Sequence, residues 1–212
     1  MKNKKKVILT LCKTFPVTHS MAGKPTGFED KLKKGEKIHT IRYNAKNVWD
    51  ERYKSISSGE KFLSVREWTG RPYNSEQREF AQFEKIGLQH VTMTYGSDDA
   101  YPQIWIDGKQ VPIQEVAKND GLSVADFVEW FFGNSKENTF EGVVIHFTPF
   151  RYSKTGEELI KELGDELCEY CPWKNGEISH GCDSLCEGSY CNDALSSFLD
   201  ENEKYFDETE NN

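Results

Sequence analysis

The sequence predicts an α+β protein: a curled antiparallel sheet or small β-barrel with peripheral helices, followed by a small helical, cysteine-rich C-terminal module. Three observations carry this. Short runs with two-residue apolar alternation recur up to residue 147, separated by turn residues, a pattern of curled or closed antiparallel sheets. One strongly capped helical segment interrupts them. Beyond residue 150 the alternation gives way to leucines at helical spacing and a cluster of cysteines, so residues 1–150 and 151–212 read as two domains with their boundary near Pro149–Thr155.

Taken in order, Lys6–Leu11 is a short β-branched apolar run and predicts a buried first strand, with Cys12 at its end read as an inert core thiol. His19–Gly27 carries Gly and Pro and predicts a loop. Phe28–Lys34 predicts two helical turns stopped by Gly35. Ile38–Arg42 predicts a strand, and Val48–Ile56 a helix with Val48, Trp49, Arg52, Tyr53 and Ile56 on one broad face. In Phe62–Trp68 the side chains alternate, with Leu63, Val65 and Glu67 opposite Phe62, Ser64, Arg66 and Trp68. Residues 78–95 continue the alternation. Ile104–Lys109 predicts a hairpin turning at Asp107–Gly108, because a type I′ turn needs positive φ at both central positions. Ser123 with Asp126 predicts a capped helix whose Phe127, Trp130 and Phe131 make an apolar packing stripe rather than a base platform. Val143–Phe147 predicts the closing strand.

At 36% hydrophobic and 29% charged residues, the composition is that of a globular chain and excludes a disordered or fibrous one. No run approaches the length of a membrane span, and the basic start lacks a long apolar segment and a cleavage site, so the expected location is cytoplasmic. The net charge of −8 is unevenly spread. Residues 1–150 hold 22 basic against 19 acidic residues, a balance of +3, whereas residues 151–212 hold 5 against 16, a balance of −11. The first domain is therefore compatible with a phosphate-bearing partner despite the acidic total.

The most suggestive polar segment is Gly35-Glu-Lys-Ile-His-Thr-Ile-Arg42. Lys37, His39, Thr40 and Arg42 bring ammonium, imidazole, hydroxyl and guanidinium groups to one short strand, a donor set suited to a phosphate, a carboxylate or the carbonyls of a base. In these residues the chain resembles the ASCH family of the PUA-like superfamily, whose members carry Gly-x-Lys-x-x-Glu-x-Arg. Gly35, Lys37 and Arg42 match, while Thr40 stands in place of the glutamate. That departure is similar to a small bacterial branch that removes acyl groups from N4-acetylcytidine. The resemblance implies a β-barrel with a cleft beneath the motif and an RNA or other single-stranded nucleic-acid partner. It also implies Lys37 and Thr40 as catalytic residues together with a distant glutamate, which has no match in this sequence and for which Asp120 is the nearest candidate.

Arg66, Trp68, Arg71 and Tyr73 form a second candidate ligand set, because aromatic faces stack on bases while arginine stacks or meets phosphate. In the tail, five of the six cysteines fall in the pattern Cys168-x₂-Cys171-x₁₀-Cys182-x₃-Cys186-x₄-Cys191, with His180 between them. This favours structural zinc held by Cys168, Cys171, Cys186 and Cys191, with Cys182 or His180 able to replace one ligand. Disulfides and an iron–sulfur cluster are the rival readings.

Three functions stay open at this level. The leading one is binding of single-stranded RNA, another nucleic acid or a modified nucleotide by Lys37, Thr40 and Arg42. The second is an amidohydrolase acting on N4-acylated cytidine, with Thr40 as nucleophile, Lys37 as base and Asp120 protonating the leaving group. The third is a structural or adaptor protein, with the acidic tail meeting a protein partner.

Overall fold

The computed structural model describes residues 4–97, 99–133, 135, 138–153, 167, 170, 171 and 194–198. It opens with β1 (Lys5–Thr10), where alternation buries Val7 and Leu9 and leaves Lys6 and Ile8 exposed. Helix α1 (Phe28–Lys33) follows the loop and buries Phe28. Next come β2 (His39–Tyr43), α2 (Val48–Ser57) and β3 (Lys61–Trp68). Helix α2 buries Trp49 and Ile56, while Arg52 lies 4.5 Å over the Trp49 ring. On β3, Leu63, Val65 and Glu67 share one buried face, and Ser64 on the opposite face is buried as well.

Strands β4 (Gln77–Phe83), β5 (Gly87–Thr94), β6 (Gln103–Ile106) and β7 (Lys109–Val111) come next. The β6–β7 turn has Asp107 at φ 46° and Gly108 at φ 77°, so both central residues are left-handed and the turn matches the twist of its strands. Helix α3 (Ile113–Asn119) was not legible from periodicity. Helix α4 (Val124–Phe132) was, and the Ser123 side chain accepts from the Asp126 amide at 3.1 Å. Strand β8 (Thr139–His146) follows.

The expected barrel does not form. Strands β1-β3-β4 make a three-stranded sheet and β2-β8-β5-β6-β7 a five-stranded one, and both are open. The physical reason lies in β1, which pairs in parallel with β3, Val7 opposite Leu63 and Leu9 opposite Val65. A parallel pair needs a long crossover. Here that crossover includes β2, which leaves for the other sheet and pairs antiparallel with β8, Thr40 opposite Ile145. Alternation in sequence fixes which face of a strand is apolar, and it says nothing of which strand lies beside it. One core cluster draws Leu9, Leu63 and Val65 from the first sheet and Met93, Ile104 and Val144 from the second.

The chain divides into two compact units, Met1–Tyr152 and Ser153–Asn212. In the second unit, Leu167, Cys171, Ala194, Leu195 and Phe198 form a small buried cluster, with Tyr170 edge-on to Phe198 at 5.3 Å. Of the expected zinc ligands, Cys168, Cys186 and Cys191 lie outside the described residues, as do Cys182 and His180. Cys171 is buried as a free thiol. Among the described residues no group of three or more His, Cys, Asp or Glu side chains is arranged to hold a metal, so the zinc-binding expectation gains no support there. Also among the described residues, no helix is long and apolar enough to cross a membrane.

Candidate active site

The site is built where β2 meets the end of α3. Ile38 donates its amide to Asn119 O at 2.9 Å, and Phe147 donates to Ile38 O at 2.9 Å, so the entry to β2 is clamped between the α3 terminus and the end of β8. Asp120 caps α3 and donates its amide to Val116 O at 2.9 Å. Gly121 then turns the chain at φ 77°, and a Cβ there would meet Lys37 Cβ at 3.2 Å. A residue with a side chain would be strained in backbone and crowded against Lys37 at once.

This packing buries a pair of opposite charges. Lys37 is 1% exposed and Asp120 5%. Lys37 Nζ donates to Asp120 Oδ1 at 2.9 Å and to Asp120 O at 2.6 Å, and it lies 4.3 Å over the Phe28 ring. Burial pulls the Lys37 ammonium down to about 8, with the Asp120 charge opposing that fall. Burial alone would raise the Asp120 carboxyl. Lys37 and His39 outweigh it and hold the carboxyl below its usual range.

On the cavity side, Arg42 Nη1 donates to Thr40 Oγ1 at 2.9 Å and to Ile41 O at 2.7 Å, while Nη2 donates to Thr10 O at 3.0 Å. Thr40, Arg42 and Asp120 line a cavity of about 210 Å³. Phe28, Trp130 and Phe131 supply aromatic walls, and Thr10, Cys12 and Ile41 complete the lining. Cys12, expected in the core, is exposed.

The structure thus brings together Lys37, Thr40, Arg42 and Asp120 from the sequence expectation. His39 belongs to the same cluster from behind. It is fully buried, its Nε2 is 2.8 Å from Tyr152 Oη, and its Nδ1 is 3.6 Å from Asp120 Oδ1. The second candidate set stands apart from the cavity lining. Arg66 donates from Nε to Ser64 Oγ at 2.8 Å and pairs with Glu79 at 3.5 Å. Trp68 packs on Tyr73 with ring centroids 5.3 Å apart, and Arg71 is exposed.

Sequence reasoning missed Tyr152, Asn119 and His146, which gather around His39. It also missed the double role of Trp130 and Phe131, which pack α4 and wall the cavity. A helical stripe reads the same whether its outer edge meets core or cleft, so only the cavity distinguishes them.

No family model, no curated protein and no solved structure matches this chain. The resemblance to the ASCH family is therefore overturned: nothing found supports it, and the open sheets lack the closed barrel that such a fold requires. The site's chemistry has to be read from its own geometry.

Proposed function

We propose that the Met1–Tyr152 unit is an amidohydrolase for a small, flat acylated amine, with Thr40 as nucleophile and the buried Lys37–Asp120 pair as its proton carrier. One observation carries the reading. A threonine hydroxyl held by a guanidinium shares an aromatic-walled cavity of about 210 Å³ with a carboxylate that grips a buried lysine. Aromatic walls favour a planar group. The volume lies below the ~300 Å³ where drug-sized sites begin, which fits a fragment the size of one base with its acyl arm.

The chemistry follows from the partners. Thr40 Oγ1 attacks the acyl carbon while its proton passes to the Lys37–Asp120 pair. The C–N bond then breaks, and the amine leaves with that proton. Arg42 already donates to Oγ1, so it stabilises negative charge as the hydroxyl loses its proton. Water next hydrolyses the threonine ester, returning Thr40 and releasing a carboxylic acid. Arg42 makes all three of its bonds to protein oxygens, a use that fits charge stabilisation better than capture of a phosphate.

A neutral Lys37 is needed to take the proton. With its pKa near 8, roughly one tenth is neutral at pH 7, so the rate should climb with pH and level off above about 8. The test is chromatographic, with N4-acetylcytidine as first probe and acetylated aromatic amines as companions. Release of acetate and free amine by the full chain, abolished in Thr40→Val, supports the reading. No release from any probe, or equal release by Thr40→Val, overturns it.

A second reading, binding of single-stranded nucleic acid, has one observation in its favour. Tyr73 is 89% exposed and held at φ 64°, with its ring against Trp68, so an aromatic face is presented to solvent beside Arg71. Affinity for short RNA and single-stranded DNA, measured across salt and lost in Tyr73→Ala, would support it. Binding undetectable at low salt removes it.

A further inference from the structure

Behind the Lys37–Asp120 pair lies a chain of polar groups that the proposed hydrolysis leaves unused. Asn119 Nδ2 is 2.9 Å from Tyr152 Oη, and Tyr152 Oη is 2.8 Å from His39 Nε2. His39 Nδ1 faces Asp120 Oδ1 at 3.6 Å and has no hydrogen-bond partner within normal range. All four residues are buried or half-buried, so their protons must be allotted among one another.

The Asp120 carboxylate on one side of the ring and the Asn119–Tyr152 pair on the other decide the allotment together. A bare Nδ1 lone pair would face a negative oxygen in a low-dielectric site, whereas an Nδ1–H places its positive end there. With the proton on Nδ1, Nε2 becomes an acceptor and takes the Tyr152 O–H. The tyrosine oxygen then accepts from the Asn119 amide, so the three contacts run donor to acceptor in one direction, from Asn119 through Tyr152 and His39 to Asp120. We infer that His39 is a positioning residue, locked by Tyr152 and Asn119 in its Nδ1–H tautomer so that it orients the Asp120 carboxylate holding Lys37. The inference rests on the proposed hydrolase for its purpose, although the tautomer itself does not.

The surroundings keep His39 neutral. Burial acts first against its charge; Lys37 adds to that, while Asp120 and Glu115 oppose it. His146 packs edge-on against it with centroids 5.5 Å apart, and burial, His39 and Arg151 draw His146 down to about 2. Around Lys37 the other charged neighbours are Arg42 and Lys31, and around Tyr152 they are Glu115 and Asp120. At 3.6 Å the Nδ1–Oδ1 contact is longer than a hydrogen bond, as positioning contacts often are before substrate binds.

The test needs no substrate. In the ¹⁵N-labelled full chain, long-range imidazole spectra should show His39 protonated on Nδ1, opposite to the preference of free histidine. Tyr152→Phe should release that preference. Carboxyl ¹³C titration should move Asp120 to higher pH in His39→Leu, by about tenfold in proton affinity. His39→Asn, which keeps a donor near the Nδ1 position, should restore the wild-type titration. An Nδ1-protonated ring freed by Tyr152→Phe, with rescue by asparagine, supports the assignment. An Nε2-protonated ring in the wild type, or a tautomer indifferent to Tyr152→Phe, overturns it. These results stand whether or not acyl amides are hydrolysed, so failure of the hydrolase reading and failure of this one are separately visible.

Discussion

Replacing Lys37 with methionine should alter the pH dependence of stability as well as its size. In the folded protein, burial lowers the Lys37 ammonium from 10.5 to about 8. A group with a lower folded pKa is held less often protonated in the native state, so the unfolded chain binds the extra proton between those two values. Stability contributed by Lys37 therefore rises as pH climbs through that window. At about 1.4 kcal/mol per pH unit, the interval from about 8 to 10.5 corresponds to about 3 kcal/mol. Lys37→Met removes this gain. The other lysines and the tyrosines titrate nearby, but they are common to both proteins and cancel in the difference. Asp120 stays ionised in the wild type; in the variant it loses the Lys37 charge that opposes burial, so its carboxyl rises and adds to the difference in the same direction. The assay is urea unfolding of wild type and variant at pH 7, 8.5 and 10.5, followed by tryptophan fluorescence. The stability difference should grow by about 3 kcal/mol in favour of the wild type from the lowest to the highest pH. A difference constant within about 0.5 kcal/mol would mean that Lys37 titrates as a solvated lysine, and the buried-pair reasoning would fail.

Three further outcomes are expected. Gly121→Ala should cost about 1–2 kcal/mol in urea unfolding, because φ is 77° there. It should also move the Lys37 side-chain resonances, since the added Cβ lies 3.2 Å from Lys37 Cβ. Arg42→Lys keeps the charge but cannot serve Thr40 Oγ1, Ile41 O and Thr10 O together, so kcat on an acyl amide should fall about a hundredfold with KM little changed. Ser123→Ala removes the acceptor for the Asp126 amide and should lower the urea midpoint by the equivalent of about 1 kcal/mol, without changing kcat.

Local order was legible in the sequence wherever a short-range rule governed it. The Asp107–Gly108 turn and the Ser123 cap are decided within four residues, and both form as their letters predict. The Leu63, Val65, Glu67 face of β3 follows from the pleat alone. What failed was the step from strands to closure. β1 joins β3 across more than 50 residues, Lys5 opposite Lys61, and no signal in either strand names its neighbour. The barrel was inferred from strand number and from resemblance, and both are silent about edges. The site shows the same division. Lys37, Thr40 and Arg42 are near neighbours in sequence and could be read together. Their meeting with Asp120, 83 residues on, was reached only as a choice among acids, and Tyr152, 113 residues from His39, was not reached at all. Tyrosine and asparagine acquire their meaning here from what they touch, and touching is a long-range property.

The charge pair at the centre separates a site from a brace. Glu67 is also a buried acid, 6% exposed, yet its partner Arg78 stands in solvent and joins Glu29 as well, so water shares the burden of that ion pair. Lys37 and Asp120 have no such relief, since both are almost wholly removed from water. A pair of that kind is commonly no better for stability than two apolar residues of similar volume. A fold needing only a packed α3–β2 junction would be served by leucine and valine. Instead, the junction holds a lysine shifted toward neutrality, and its carboxylate partner opens onto a cavity shared with a hydroxyl. Strongly shifted groups converging on a cleft are the arrangement expected where protons are moved. That contrast, more than any one distance, is why the proposed chemistry is placed on Lys37, Thr40 and Asp120 and not on the ion pairs of the outer face.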